Sequence, residues 1–187
     1  MELENTFTVA APVDDAWRLL NDVPAVVPCM PGAELLETVG DDAWKAALQV
    51  KLGPIALRFA ADVTRTERDD EAHRVVLAVK AREAKGRGTA EATITSTVAG
   101  EDGGAHVRLV TDLALRGAVA QYGRGVVADV SSRLTEQFAA CIEQRLAAAA
   151  PRTADDPVAP PPAAAPVPGL RLLLAALWRS LTGRGRG

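Results

Sequence analysis

Six consecutive segments between Ala33 and Arg116 alternate apolar and polar residues with a period of two, and turn-forming residues close each one. Such alternation marks strands buried on one face only. Ala33–Val39 turns at Gly40-Asp41-Asp42. Trp44, Ala46, Leu48, Val50 and Leu52 share a face before Gly53-Pro54, and Ile55, Leu57, Phe59, Ala61 and Val63 share the next before the charged turn Glu67–Glu71. Val75, Leu77, Val79 and Ala81 precede Gly86-Arg87-Gly88. Ala90, Ala92, Ile94, Ser96 and Val98 precede Gly100–Gly104, and Val107, Leu109, Thr111, Leu113 and Leu115 complete the set. Leu3–Val9 alternates in the same way, which predicts seven antiparallel strands.

Two short helices are expected between the first strand and the second. Pro12 breaks the strand, and Asp14 and Asp15 suit a helix start by capping and dipole. Asn21-Asp22-Val23-Pro24 opens the second helix, and Pro28-Cys29-Met30-Pro31-Gly32 is a loop because its prolines and glycine cannot continue a helix. One long helix follows the strands, about Ala118–Ala148. Its stripe is Val119, Tyr122, Val126, Val130, Leu134, Phe138, Cys141, Ile142 and Leu146, read as a single apolar face. A half-apolar sheet needs a cover and such a helix needs a floor, so the fold expected is α+β, a curved seven-stranded sheet around a terminal helix.

The chain changes character after Ala150. Residues 1–150 form the expected folded domain. Pro151–Pro168 is Pro/Ala-rich without periodicity and reads as a flexible linker. Residues 169–187 form a short basic tail. On a helical wheel Arg171 and Trp178-Arg179 lie opposite a broad arc of leucines that includes Leu173, Leu174, Leu177 and Leu181, with Leu170 at the start. A helix of about 12 residues is ~18 Å long, too short to cross ~30 Å of hydrocarbon. The tail is therefore expected to lie in a membrane interface, to dock in a partner's groove, or to fold back on the sheet.

Charge divides at the same boundary. Residues 1–150 hold 16 Lys+Arg against 22 Asp+Glu, whereas residues 151–187 hold five arginines against Asp155 and Asp156. An acidic body argues against nucleic acid as a partner, since phosphate contacts need clustered cations. The first residues, MELENTFTVAAP, lack the basic start and long apolar run of a signal peptide, and no stretch has the ~18–20 apolar residues of a membrane span. The location expected is cytoplasmic, peripheral to the inner face of the cell membrane.

The order strand, two short helices, six strands, long helix resembles the START-like, or helix-grip, folds of the SRPBCC superfamily. Within it the chain resembles the CoxG family of carbon monoxide dehydrogenase subunits. The resemblance is carried by Leu3–Pro12, Ala16–Asp22, Cys29–Leu35, Val50–Pro54, Lys85–Ala90 and Gly117–Arg124, and spans about residues 1–146. It implies an accessory protein that helps recruit a molybdenum-containing CO dehydrogenase to the membrane. Its cargo would be an isoprenoid quinone of the menaquinone or ubiquinone type rather than a catalytic cofactor. Related proteins accompany other molybdenum hydroxylases, so the partner enzyme stays open.

The start of the long helix, Gly117–Gly125, has unusually small side chains. Glycine costs up to ~1 kcal/mol relative to alanine in a helix, so something should offset it. Either the helix packs closely on the sheet, or a void remains, lined by Trp44, Leu48, Leu57, Phe59, Val79, Leu113, Gly117, Tyr122 and Val126. With the resemblance, the void is the preferred reading, and Gln121 and Tyr122 are candidates to hydrogen-bond a quinone carbonyl.

Catalytic motifs are weak. Gly123-Arg124-Gly125-Val126-Val127-Ala128 matches a dinucleotide fingerprint, but it lies inside a helix after antiparallel strands, outside the strand–turn–helix context the motif needs. His73 and His106 lie near turns with no nucleophile arrangement around them. Cys29 and Cys141 have no metal-ligand spacing. They could pair, although nothing points to an oxidising compartment, and Cys29 by itself reads as a small buried apolar side chain. The chain is thus expected to be a non-enzymatic carrier of an apolar ligand. A ligand-free tether for the same enzyme, and a small hydrolase or cyclase on the same fold, are the rivals.

Overall fold

A computed structural model describes residues 1–52 and 55–149. The expected linker, 151–168, and the expected tail with Leu170, Arg171, Leu173, Leu174, Leu177, Trp178, Arg179 and Leu181 lie outside the described residues. The elements are β1 (Glu2–Val9), α1 (Val13–Asn21), α2 (Val23–Val26), a 3-10 turn (Val27–Cys29), β2 (Ala33–Gly40), β3 (Ala43–Leu52), β4 (Ile55–Asp69), β5 (Arg74–Glu83), β6 (Gly88–Glu101), β7 (Gly104–Gly117), a second 3-10 turn (Ala118–Tyr122) and α3 (Gly123–Ala149). The seven strands form one antiparallel sheet in the order β1-β7-β6-β5-β4-β3-β2. Both the α+β architecture and the strand count agree with the alternation in the sequence. No helix among the described residues is long and apolar enough to cross a membrane.

Three local expectations are corrected. α1 starts behind Pro12 with no side-chain cap, so Asp14 and Asp15 favour the helix start through its dipole and not by capping. Asp22 is the side chain that caps a helix, accepting the amide of Ala25 at 3.0 Å in α2. β4 continues to Asp69 rather than stopping before Glu67, because a bulge between Arg65 and Glu67 keeps it paired with β5. The long helix begins at Gly123, not Ala118. Gly117 has φ 78°, and a Cβ there would lie 2.9 Å from the Arg87 carbonyl oxygen and the Gly88 Cα. Only glycine makes that corner, and the chain crosses from β7 into the 3-10 turn through it.

Within residues 1–149 the core lies towards one end of the sheet. Val9, Trp17, Val75, Val98 and Val107 pack there against Phe138, Ile142 and Leu146 of α3. Phe7 meets Phe138 edge to face at 6.0 Å between ring centres. Cys29 and Cys141 are joined by a disulfide across this core, tying the loop before β2 to α3. Cys29 is buried, as the sequence suggests, but not as a free thiol.

Candidate functional site

Sheet register places the apolar residues of the strands side by side. Trp44, Val63, Val79, Ala92 and Leu113 form one row across β3 to β7, and Leu48 and Phe59 form another that ends at Glu83. Both rows lie on the face that carries Phe7, Val9 and Val107, the residues α3 covers. Away from the core end the described residues cover this face incompletely: Leu48, Phe59, Val63, Val79, Ala92 and Leu113 are all only half-buried. α3 packs chiefly against β1.

The reason lies partly in the helix itself. At 100° per residue, each four-residue step advances about 40° round the axis. The row Val126–Val130–Leu134–Phe138 therefore winds instead of holding one face, which corrects the single stripe read from the sequence. Phe138 points into the core and is 6% exposed, Val130 and Leu134 are half-buried, and Val126 is 42% exposed.

A cleft of about 690 Å³ opens along this flank, lined by Pro31, Gly32, Gln49, Val50 and Lys51 on one side and by Val126, Asp129, Val130, Arg133, Leu134 and Gln137 of α3 on the other. That volume falls within the ~300–1,000 Å³ of small-molecule sites. Gly32 shapes its rim: φ is 77°, and a Cβ would run into the Gln49 carbonyl oxygen. The Gln49 amide donates to the Gly32 carbonyl at 2.8 Å, closing the loop onto β3 where β2 has not yet begun. The cleft thus combines an aliphatic strip with polar side chains on its edges.

Of the residues singled out in the sequence, Val126 lines this cleft. Leu48, Leu57, Phe59, Val79 and Leu113 share the inner face of the sheet, with Leu57 buried at 2% exposure. Trp44 is buried in a separate cleft of about 380 Å³, where Asn21, Thr38 and Asp41 are neighbours and the Arg65 guanidinium stacks over its ring at 5.4 Å. Gln121 is exposed and Tyr122 half-buried in the 3-10 turn after Gly117. Asp129, Arg133, Gln137, Gln49 and Lys51 were missed. For Asp129, Arg133 and Gln137 the signal was the polar row one step round α3 from the apolar one, visible only once the helical drift is followed, whereas Gln49 and Lys51 alternate onto the outer side of β3 and carried none.

Glu83 is the carboxylate that register puts on the inner face, opposite Phe59. It is 4% exposed and accepts the amides of Lys85 at 2.8 Å and Arg87 at 3.0 Å. Burial alone would push its carboxyl upward, but those amide donors and the nearby Arg87 charge outweigh it and hold it below the ordinary glutamate range. His73 lies at the other end, 3.5 Å from Asp14 and stacked obliquely on Trp17. His106 is half-buried in β7 opposite Ala99. Gly123–Ala128 opens α3 behind a 3-10 turn, not a strand. Among the described residues no group of three His, Cys, Asp or Glu side chains is arranged to hold a metal ion.

The fold has solved relatives of low sequence identity. A conserved protein from Geobacillus kaustophilus superposes with a TM-score of 0.71 at 21% identity, covering 79% of this chain and 96% of its own. A protein from Thermus thermophilus gives 0.59 at 18%, covering 81% and 100%. The ZhuI aromatase/cyclase from Streptomyces sp. R1128 gives 0.58 at 17%, covering 79% and 93%. At such identities these likenesses establish the helix-grip frame alone. Among curated proteins no sequence relative matches. The profile of CoxG, the family of carbon monoxide dehydrogenase subunits, matches residues 6–147, and with the helix-grip sheet and terminal helix already in place, this chain belongs to the CoxG family.

Proposed function

We propose that this protein is a non-catalytic accessory protein that carries an apolar ligand, a lipid or an isoprenoid quinone, and links a molybdenum-hydroxylase-type CO dehydrogenase to the membrane. The observation that carries the reading is the half-covered apolar face of the sheet and the cleft of about 690 Å³ beside the N-terminal half of α3. Apolar surface left wet is costly, at roughly 25 cal/mol per Å², and a greasy ligand removes that cost without any special chemistry. Val50, Val130 and Leu134 suit its hydrocarbon, and Gln137 and Arg133 suit a carbonyl-bearing head.

The enzyme partner follows from the family name, and membrane contact from the leucines and arginines of residues 169–187. A hydrolase or cyclase would need a free titratable pair on the inner face. Glu83 is committed to the amides of Lys85 and Arg87, which favours the non-catalytic reading. The test is extraction from quinone-loaded vesicles. Full-length protein mixed with them and then separated by flotation should carry quinone with it, saturably. A protein that returns no quinone contradicts the carrier role and leaves a tether.

A further inference from the structure

We infer that the end of the sheet holding the β5–β6 turn is a docking face for an anionic lipid surface. The inference rests on the membrane reading above and gives the folded unit a contact of its own, separate from residues 169–187. Antiparallel register brings together at this end the close of β3, the β5–β6 turn, and the passage from β7 into α3. Arg82 and Arg116 flank Thr89 on the outer face of the sheet, each in register with it. Lys85 and Arg87 stand in the turn beside them, Lys51 closes β3, and Arg124 opens α3. All six are exposed.

None of these six forms an ion pair among the described residues. Elsewhere in the same unit most cations are neutralised: Arg18 by Asp15, Lys45 by Glu37, Arg65 by Asp42, Arg68 by Asp70, Arg74 by Glu67 and Arg108 by Glu4, while Lys80, Arg133 and Arg145 are scattered and form no ion pair among the described residues. Glu83, the carboxylate at the turn, is buried and held by backbone amides. The opposite end gathers acids instead, in the turns at Asp41-Asp42, Asp69–Glu71 and Glu101-Asp102. A body with more acids than bases therefore presents one end where cations outnumber carboxylates, Glu83 beside Arg87 and Glu34 beside Arg58 offsetting only part of the charge, and its field would orient it towards a negative surface.

Lipid is favoured over an acidic protein by what surrounds the cations. The aliphatic Val126 is exposed at the start of α3 on the same end, and the ligand cleft opens beside it. Docked this way, the cleft faces the bilayer from which an apolar ligand would be loaded. Cations near such a surface act over about a Debye length, so the contact should weaken with salt.

The test is co-sedimentation of the full chain with vesicles of phosphatidylcholine alone and of phosphatidylcholine mixed with phosphatidylglycerol. Arg82→Gln/Arg87→Gln/Arg116→Gln should lower partition onto the anionic vesicles about 100-fold, at roughly fivefold per charge, and leave partition onto neutral vesicles unchanged. Arg18→Gln/Arg68→Gln/Arg74→Gln removes the same net charge from the other end and should leave anionic binding within a few-fold of the parent. Equal losses in the two triple variants, or no loss in the first, overturn the inference while the tail can still hold the membrane. A parent that binds neither vesicle overturns the membrane reading itself. Loss of enzyme co-elution without loss of vesicle binding would assign this end to a protein partner instead.

Discussion

Val126 and Phe138 stand three four-residue steps apart on α3, yet the first is 42% exposed and the second 6%. About 120° of rotation round the helix axis separates them, and with it the boundary between core and cleft. Substitutions on either side of that boundary should behave differently. Phe138→Ala removes a core ring and should cost about 3–5 kcal/mol of unfolding free energy. Val126→Ala should stay within about 0.5 kcal/mol of the parent. Urea unfolding followed by far-UV circular dichroism checks both, and equal costs would mean that α3 is seated evenly along its length.

The Cys29–Cys141 disulfide closes a sequence separation of 112 residues. Bridging so long a loop restricts the unfolded chain, and removing a native disulfide typically costs ~2–5 kcal/mol. Cys141→Ser should fall in that range. Thiol titration of the denatured parent, purified without reductant, should find no free thiol. Two titratable thiols would contradict the bond.

Arg65 ties three elements together. It donates to the Asn21 carbonyl at 3.1 Å, to the Asp41 carbonyl at 3.0 Å and to the Asp42 carboxylate at 2.6 Å, while its guanidinium covers Trp44. A planar fork with several donors is not replaced by an ammonium. Arg65→Lys should therefore lose about 1.5–3 kcal/mol, the range of hydrogen bonds to a charged group, with little rescue over Arg65→Ala. Thermal unfolding of the two variants decides it, and full rescue by lysine would contradict the account.

Acid should weaken the β5–β6 turn. The Glu83 carboxyl lies below its ordinary value when folded, so its contribution is complete above that ordinary value of about 4.5 and is lost as pH falls through the lower folded value. Asp70, held down by Arg68 and then by the Trp17 indole N–H, acts in the same direction. The stability gap between the parent and Glu83→Gln should be constant near neutrality and shrink on acidification. A gap that widens with falling pH would reverse the sign and refute the role given to the Lys85 and Arg87 amides.

Much of the frame was legible because period-two alternation survives in every strand from Trp44 to Leu115, and because glycines and prolines mark the turns. The inner face was legible for the same reason: register follows from alternation once the turns are fixed, so Trp44, Val79 and Leu113 share a row. The cleft was less so. Its lining depends on how far α3 rotates between Val126 and Phe138 and on where β2 begins relative to Gln49, which are tertiary facts. Trp44 looked like a ligand wall because nothing in the sequence placed Arg65 over it. Pairing of Cys29 with Cys141 likewise depends on the loop before β2 meeting the last turns of α3.

The account stands on an apolar ligand occupying the flank of α3, and native mass spectrometry of full-length protein taken from quinone-containing membranes tests it most directly. The parent should carry an added mass equal to one lipid or isoprenoid quinone, and Leu134→Trp, which fills the cleft with an indole, should emerge at its bare mass while unfolding at nearly the same temperature. A parent at bare mass, or a variant that retains the ligand unchanged, would contradict it.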